Sequence, residues 1–168
     1  MEVLDGRAEP KSPAEGCEWA YMASRAAHQR FAAAVKLYAA AFAADPRLAD
    51  DLSTCHRYNA ACFAARAARG DGTDPPKDET ARAALRRQSL AWLRADLAGH
   101  TKLARSANAI DRGRTLSRLS HWLEDGDFSA LRPGPGATDL PAAEAADWTR
   151  LWSEVRARRG EVLKLVGR

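Results

Sequence analysis

The spacing of alanine constrains this chain more than any other feature. Ala34, Tyr38 and Ala41 recur at helical intervals, and Asp45-Pro46 closes the run. Alanine fills about a fifth of all positions, and it is the strongest helix former and a small side chain that lets helices approach closely. Valine and isoleucine are scarce and no run alternates apolar with polar residues, so a sheet is not expected. The chain is therefore predicted to be all-α, with closely packed helices.

The order of small, aromatic and small residues followed by proline resembles the second helix of a tetratricopeptide (TPR) repeat. Residues 58–62, Tyr-Asn-Ala-Ala-Cys, open a further helix that is predicted to end at Gly70, and this resembles the first helix of a following repeat. We therefore predict a TPR-like antiparallel array of about six helices.

The domain organisation follows from the same pattern. Residues 1–17 carry two prolines and little to bury, so they are expected to form a flexible lead-in. Approximate repeats at 18–46 and 47–99 would be followed by a C-terminal helical cap at 100–168, with a Pro- and Gly-rich linker at 132–141. Because two repeats are fewer than such arrays usually need, the C-terminal helices are expected to cap the stack, or the chain to form a homodimer instead of a monomer.

A longer part of the chain, about residues 30–155, resembles the TPR-like helical region at the C-terminal end of large bacterial serine/threonine protein kinases. The resemblance is carried by residues 37–46, 48–52, 56–62, 85–88, 92–97 and 121–131. It implies a non-enzymatic region that mediates protein contacts. Only about 17 residues precede the first expected helix, so no kinase domain is expected before it.

Catalytic motifs are absent from the sequence. Tyr58 follows a His-Arg pair where a kinase has its catalytic Asp, and Ser129 follows Asp-Phe where a kinase has Gly. The chain has no nucleotide-binding P-loop, zinc-protease motif or serine-hydrolase motif. We predict no catalytic residue, no cofactor and no enzymatic activity.

A candidate partner-binding face lies on the helix that contains residues 58–70. Asn59, Cys62 and Arg66 follow Cys55 at helical spacing, and first helices line the concave groove of a TPR array. Asn59 is expected to bond a peptide backbone or terminal carboxylate, and Arg66 to add a charge-assisted contact. The alternative is that Asn59 satisfies a neighbouring backbone group and that Arg66 is solvated. The partner is thus predicted to be a protein or peptide of unknown identity.

The cysteines favour neither a metal nor a disulfide. Adjacent side chains on a helix diverge by about 100°, and no C-x2-C pair accompanies Cys55, His56 and Cys62, so no metal site is predicted. Cys55 and Cys62 would lie about 10.5 Å apart along one helix, too far for a disulfide. Together with Cys17 they form an odd, widely spaced set, which indicates a reducing compartment. No apolar segment is long enough for a membrane span or a signal peptide, so the protein is expected to be cytoplasmic.

The charge balance leaves one further class of function open. The chain has 26 Lys and Arg against 22 Asp and Glu, a net charge of +4. Arginines recur between positions 82 and 118, so a small basic nucleic-acid-associated protein is the alternative to an interaction module. Few aromatics and several acids interleave them, which disfavours nucleic acid. The tryptophans are expected in the core; the predicted core comprises Tyr38, Ala41, Tyr58, Phe63, Trp92, Leu93, Leu119, Trp122 and Trp152.

Overall fold

The structure, a computed structural model, describes residues 2–166, and in that range it contains helices and no strand. The all-α prediction is therefore confirmed. The number of elements exceeds the predicted six or so, because one short α-helix and one 3-10 helix supplement the longer ones. The elements are α1 (Pro13–Ser24), α2 (Phe31–Ala44), α3 (Arg47–Asp50), α4 (His56–Arg69), α5 (Glu79–Ala104), α6 (Ala109–Glu124), the 3-10 helix (Gly126–Leu131) and α7 (Ala142–Val166).

The chain divides into two compact units, an N-terminal unit, Met1–Leu93, and a C-terminal unit, Arg94–Arg168. The division falls within α5. In the N-terminal unit α2 packs against both α1 and α4, and in the C-terminal unit α6 packs against α7.

The first helix begins earlier than the sequence analysis expected, at Pro13 and not near residue 18. The Ser12 side chain accepts a hydrogen bond from the Glu15 backbone N–H at 3.2 Å, and proline occupies the first helical position. This cap explains the earlier start. Leu4 and Cys17 are buried, so both contribute to the core of the N-terminal unit.

Aromatic rings and alanines build the core of the N-terminal unit. The Tyr38 ring lies 5.4 Å from that of Phe42 and 6.2 Å from that of Phe63, measured between centroids. Ala34 and Ala61 are fully buried beside these rings, which small side chains permit. All nine residues of the predicted core are buried in the structure.

The C-terminal end of α4 agrees with the sequence prediction, whereas the N-terminal end has no side-chain cap. Gly70 ends the helix with φ of +93°, in the left-handed conformation that glycine adopts without strain, as predicted. The start is different, because Cys55 precedes the helix with φ of +59° and neither Ser53 nor Thr54 caps it. Both hydroxyls instead donate to Asp51, Ser53 to its side chain at 2.6 Å and Thr54 to its backbone carbonyl at 2.9 Å.

A long loop between α4 and α5 caps α2. The two carboxylate oxygens of Asp74 accept hydrogen bonds from the backbone N–H groups of Ala32 and Ala33, at 3.2 and 2.8 Å. Gly72 lies so close to this helix start that a Cβ there would meet the Gln29 carbonyl at 2.1 Å. Since α2 has no side-chain cap of its own, a residue about forty positions away supplies the acceptors.

Tryptophan dominates the C-terminal unit. Trp148 and Trp152 stack at 6.4 Å between ring centroids, and the Trp152 indole donates a hydrogen bond to the Leu131 carbonyl at 2.9 Å. That carbonyl ends the 3-10 helix, so one bond ties it to α7. Residues 132–141 form no helix, as the linker prediction expected, and α7 continues through Gly160 without a break.

Candidate interaction surfaces

Asn59 is half-buried, and its side chain lies beside the Tyr38 hydroxyl of α2. Burial raises the pKa of the Tyr38 phenol, and the neighbouring Asn59 side chain partly offsets that rise. The Tyr38 hydroxyl nonetheless makes no hydrogen bond of ordinary geometry within residues 2–166. Asn59 therefore faces a neighbouring helix of its own unit.

Cys17 and Cys62 are core residues, whereas Cys55 is half-buried. Cys62 is only 4% exposed, which leaves a partner almost no surface to contact. Cys55 lies outside the helical segment of α4, so it does not extend the face of Asn59 and Arg66. Burial raises the pKa of the Cys17 thiol to about 11, which keeps it protonated and unreactive near neutral pH.

Arg66 is held within the N-terminal unit. Its guanidinium carbon lies 4.0 Å from the centroid of the Phe31 ring, and its Nε lies 3.4 Å from an Asp71 carboxylate oxygen. The hydrogen bond from Arg69 lowers the pKa of the Asp71 carboxyl, and Arg66 lowers it further by a smaller amount. The guanidinium thus connects the last turn of α4 to Phe31 by a cation–π contact and to Asp71 by an ion pair. Of the three residues predicted to bind a partner, Cys62 is buried, and Asn59 and Arg66 are each half-buried.

An open groove occurs instead in the C-terminal unit, between α5 and α7, with a volume of about 410 Å³. It is lined by Arg94, Leu97, Ala98, Thr101, Lys102, Arg105, Glu154, Ala157 and Arg158. Arg94, Ala98 and Lys102 follow one another at four-residue intervals, as do Leu97, Thr101 and Arg105, so together they form a continuous stripe along this side. We call this feature the α5–α7 groove.

The cations of the α5–α7 groove fall into two groups. Arg94 contacts Asp147 at 2.8 Å, which lowers the pKa of that carboxyl, and Arg158 pairs with Glu161 on its own helix. Lys102 and Arg105 are exposed and have no ion-pair partner in the described part of the chain. The groove therefore presents two positive charges that lie outside every ion pair of the described residues, and its lining includes one carboxylate, that of Glu154.

The floor of the α5–α7 groove is apolar. Leu97 is buried beneath it, and Ala98 and Ala157 line it from the two helices. Leu165 follows Arg158 by seven residues on α7, hence on the same face, and it is 44% exposed. Leu165 is thus an exposed apolar side chain of α7 outside the lining of the groove.

The sequence analysis did not predict this groove, although it named two residues of its α5 side. Arg94 and Arg105 belong to the arginine series noted between positions 82 and 118. The spacing of Glu154, Ala157 and Arg158 on one face of α7 was the signal available for the other wall. No sequence pattern indicates that these two helices lie side by side.

A buried histidine and carboxylate in the C-terminal unit are structural. His100 Nε2 lies 3.7 Å from an Asp96 oxygen, beyond hydrogen-bond distance, and the imidazole meets the Trp122 ring edge-on. Burial, followed by the charge of Arg118, lowers the pKa of His100 to about 4. The imidazole is 4% exposed and neutral near pH 7, so it cannot meet a substrate at the surface.

None of the helices within residues 2–166 has both the length and the apolar character needed to cross a bilayer.

Comparison of the chain with protein-family models, with curated proteins and with solved structures gives no match. The function is therefore inferred from the residues and their geometry.

Proposed function

We propose that this protein is a non-enzymatic protein–protein interaction module whose contact surface is the α5–α7 groove. The observation that carries this proposal is the combination found there, an open channel with an apolar floor and two cations, Lys102 and Arg105, without an ion-pair partner in residues 2–166. Protein-binding grooves bury apolar side chains at their centre and surround them with polar groups, and this lining has both parts.

A TPR-like arrangement is part of the proposal. Helices that are adjacent in sequence pack in succession, α1 on α2 and α2 on α4, as they do in helical repeats. The period differs, since α1 and α4 start about 43 residues apart, at Pro13 and His56, whereas TPR repeats recur every 34 or so. The short helix α3 and the turn after it account for the added length. The resemblance to kinase-associated helical regions suggests an accessory role in bacterial Ser/Thr kinase signalling.

The titratable groups support the absence of catalysis in this proposal. The His100 imidazole and the Cys62 thiol are nearly inaccessible, and the raised pKa of Cys17 disfavours a thiolate nucleophile. None of the three cysteines forms a disulfide, which fits the reducing cytoplasm that we propose as the compartment.

The test is affinity capture of the tagged full chain from a nuclease-treated lysate of the cells that encode it, with the tag alone as control. We expect a short list of retained proteins that persists at raised salt. If nothing is retained above the tag control, the proposed function is wrong.

A nucleic-acid-associated role is the second candidate, because the C-terminal unit carries thirteen Lys and Arg against ten Asp and Glu. The same capture without nuclease distinguishes it. Retention of nucleic acid that weakens steeply with salt, with no protein left after nuclease treatment, would favour this candidate over the first.

A further inference from the structure

We propose that the α5–α7 groove takes an acidic, amphipathic segment of a partner protein, with carboxylates on Lys102 and Arg105 and apolar side chains on the floor. This inference rests on the proposed interaction function and names the chemistry of its partner.

Charge complementarity selects an acidic partner. Lys102 lies in the last turn of α5, and Arg105, three residues on, directly follows the last residue of that helix. Both are exposed, and neither meets a carboxylate in the described residues. Of the other groove cations, Arg94 and Arg158 already have acidic neighbours. A ligand carboxylate therefore gains most at the end of the groove where α5 terminates.

The length of the groove sets the size of the segment. The lining along α5 runs from Arg94 to Arg105, directly after the last residue of the helix, and spans about 16 Å; the lining on α7 runs from Glu154 to Arg158 and spans about 6 Å. A distance of about 16 Å corresponds to three helical turns or about five extended residues. The occupant is thus a short linear segment and not a whole domain surface.

The lining favours an amphipathic peptide over nucleic acid. Leu97, Ala98 and Ala157 offer apolar contacts that a phosphate backbone does not use. None of the nine lining residues is aromatic, so there is no platform on which bases would stack. The exposed carboxylate of Glu154 would repel phosphates at one wall, while a peptide can place an apolar or basic residue there.

A purely structural role for the two cations makes a different prediction. Both lie at the C-terminal end of α5, where positive charge stabilises the helix through its macrodipole. If that were their only role, charge reversal would lower thermal stability without changing any binding. The experiment therefore measures both quantities.

The probe is a fluorescently labelled peptide of about twelve residues built from alternating pairs of Leu and Glu, enough for three helical turns. Its counterpart carries Gln in place of Glu, and a short DNA duplex serves as a phosphate polyanion. Binding is measured by fluorescence anisotropy to the full chain, to Lys102→Glu/Arg105→Glu, and to the control Arg114→Glu/Arg156→Glu. The control changes two exposed cations of the same unit outside the groove, with the same change in net charge.

We expect the Glu peptide to bind the wild type and to lose about tenfold in affinity, equal to about 1.4 kcal/mol, in the groove variant. The control variant should stay within about twofold of wild type, since it alters only the long-range charge. Lys102→Arg should retain binding because it keeps the cation. Circular dichroism is used to verify that each variant remains helical; if the groove double variant is not folded, the milder Lys102→Gln replaces it.

Several outcomes would overturn the inference. These are failure of the Glu peptide to bind, equal binding of the Gln peptide, an equal loss in both double variants, or tighter groove-dependent binding of the DNA duplex. The captured partners separate this inference from the proposed function. If Lys102→Glu/Arg105→Glu retains the same proteins from lysate as wild type, the groove is wrong and the interaction function stands.

Discussion

The two units carry similar numbers of cations but arrange them differently. The N-terminal unit holds thirteen Lys and Arg against twelve Asp and Glu, and many of its arginines meet carboxylates within the unit. Examples are Arg30 with Asp5 at 2.9 Å and Arg86 with Glu79 at 2.6 Å. In the C-terminal unit several arginines bond uncharged groups instead; Arg132 donates to the Trp122 carbonyl at 3.0 Å. Ion pairs with carboxylates are therefore more frequent among the arginines of the N-terminal unit than among those of the C-terminal unit.

The cores differ as well. The core of the N-terminal unit contains many fully buried alanines, whereas the C-terminal unit fills its interior with Trp122, Trp148 and Trp152. A core of small residues depends on close approach, so it is sensitive to added volume. A core of large residues depends on a few side chains, so it is sensitive to their removal. The predictions below test this contrast, from the largest expected effect to the smallest.

Truncation of Trp152 should give the largest loss. Its ring is fully buried against Phe128 and Trp148, and its N–H bonds the Leu131 carbonyl. We expect Trp152→Ala to lower the free energy of unfolding by about 3–5 kcal/mol, because it leaves a cavity and an unpaired carbonyl. Urea unfolding followed by circular dichroism measures the change. Trp19, which is only partly buried, is the matched control, and an equal loss in Trp19→Ala would contradict the assignment of the core.

Enlargement of an alanine should be costly in the N-terminal unit. Ala61 is fully buried on α4, while Ala39 on α2 is exposed. Ala61→Leu is expected to destabilise by about 1–3 kcal/mol through overpacking, and Ala39→Leu to change stability by less than about 0.5 kcal/mol. Thermal melting of the two variants side by side checks this. A wild-type melting temperature for Ala61→Leu would refute close helix packing.

Removal of the distant cap should have a moderate effect. Asp74→Ala takes both acceptors from the start of α2 and is expected to cost about 0.5–2 kcal/mol. Asp74→Asn keeps one side-chain oxygen, so it should cost less. Hydrogen exchange of the Ala32 and Ala33 amides gives a local readout, and unchanged protection in Asp74→Ala would show that another group caps the helix.

Replacement of His100 should change the pH dependence of the free energy of unfolding in the acidic range and not at neutral pH. The folded state holds the pKa of His100 at about 4, below its ordinary value of 6.5, so the unfolded state binds the proton more readily between these values. Stability from this group is therefore complete above pH 6.5 and declines as the pH falls toward 4. Denaturant unfolding at several pH values should show a shallower decline in His100→Gln than in wild type. Parallel profiles for the two proteins would contradict the shift.

The N-terminal unit was more accessible to sequence reasoning than the C-terminal unit. Local rules were enough for Gly70, whose left-handed conformation ends α4, and for the helical spacing of Tyr38 and Ala41. Local rules did not indicate the left-handed conformation of Cys55 before α4. The Ser53 hydroxyl does not cap this helix, because it donates a hydrogen bond to the Asp51 side chain.

The predicted site shows why the rest could not be read. Helical spacing places Asn59, Cys62 and Arg66 on one side of α4, but it does not say whether that side meets solvent or another helix. Arg66 contacts Phe31, which is far from it in sequence, and Asp71, which follows the turn at the end of α4. The α5–α7 groove likewise depends on two helices about fifty residues apart, and such pairings have no local signature.

The tie between Asp74 and the start of α2 also bears on the order in which the chain acquires structure. During synthesis the segment of α2 leaves the ribosome roughly forty residues before its cap, so its first turn lacks acceptors for that interval. An isolated helix of fourteen residues is marginal in water even when rich in alanine. The nascent N-terminal segment should therefore remain frayed at this end, and its apolar surface open to chaperones, until the loop after α4 has been made.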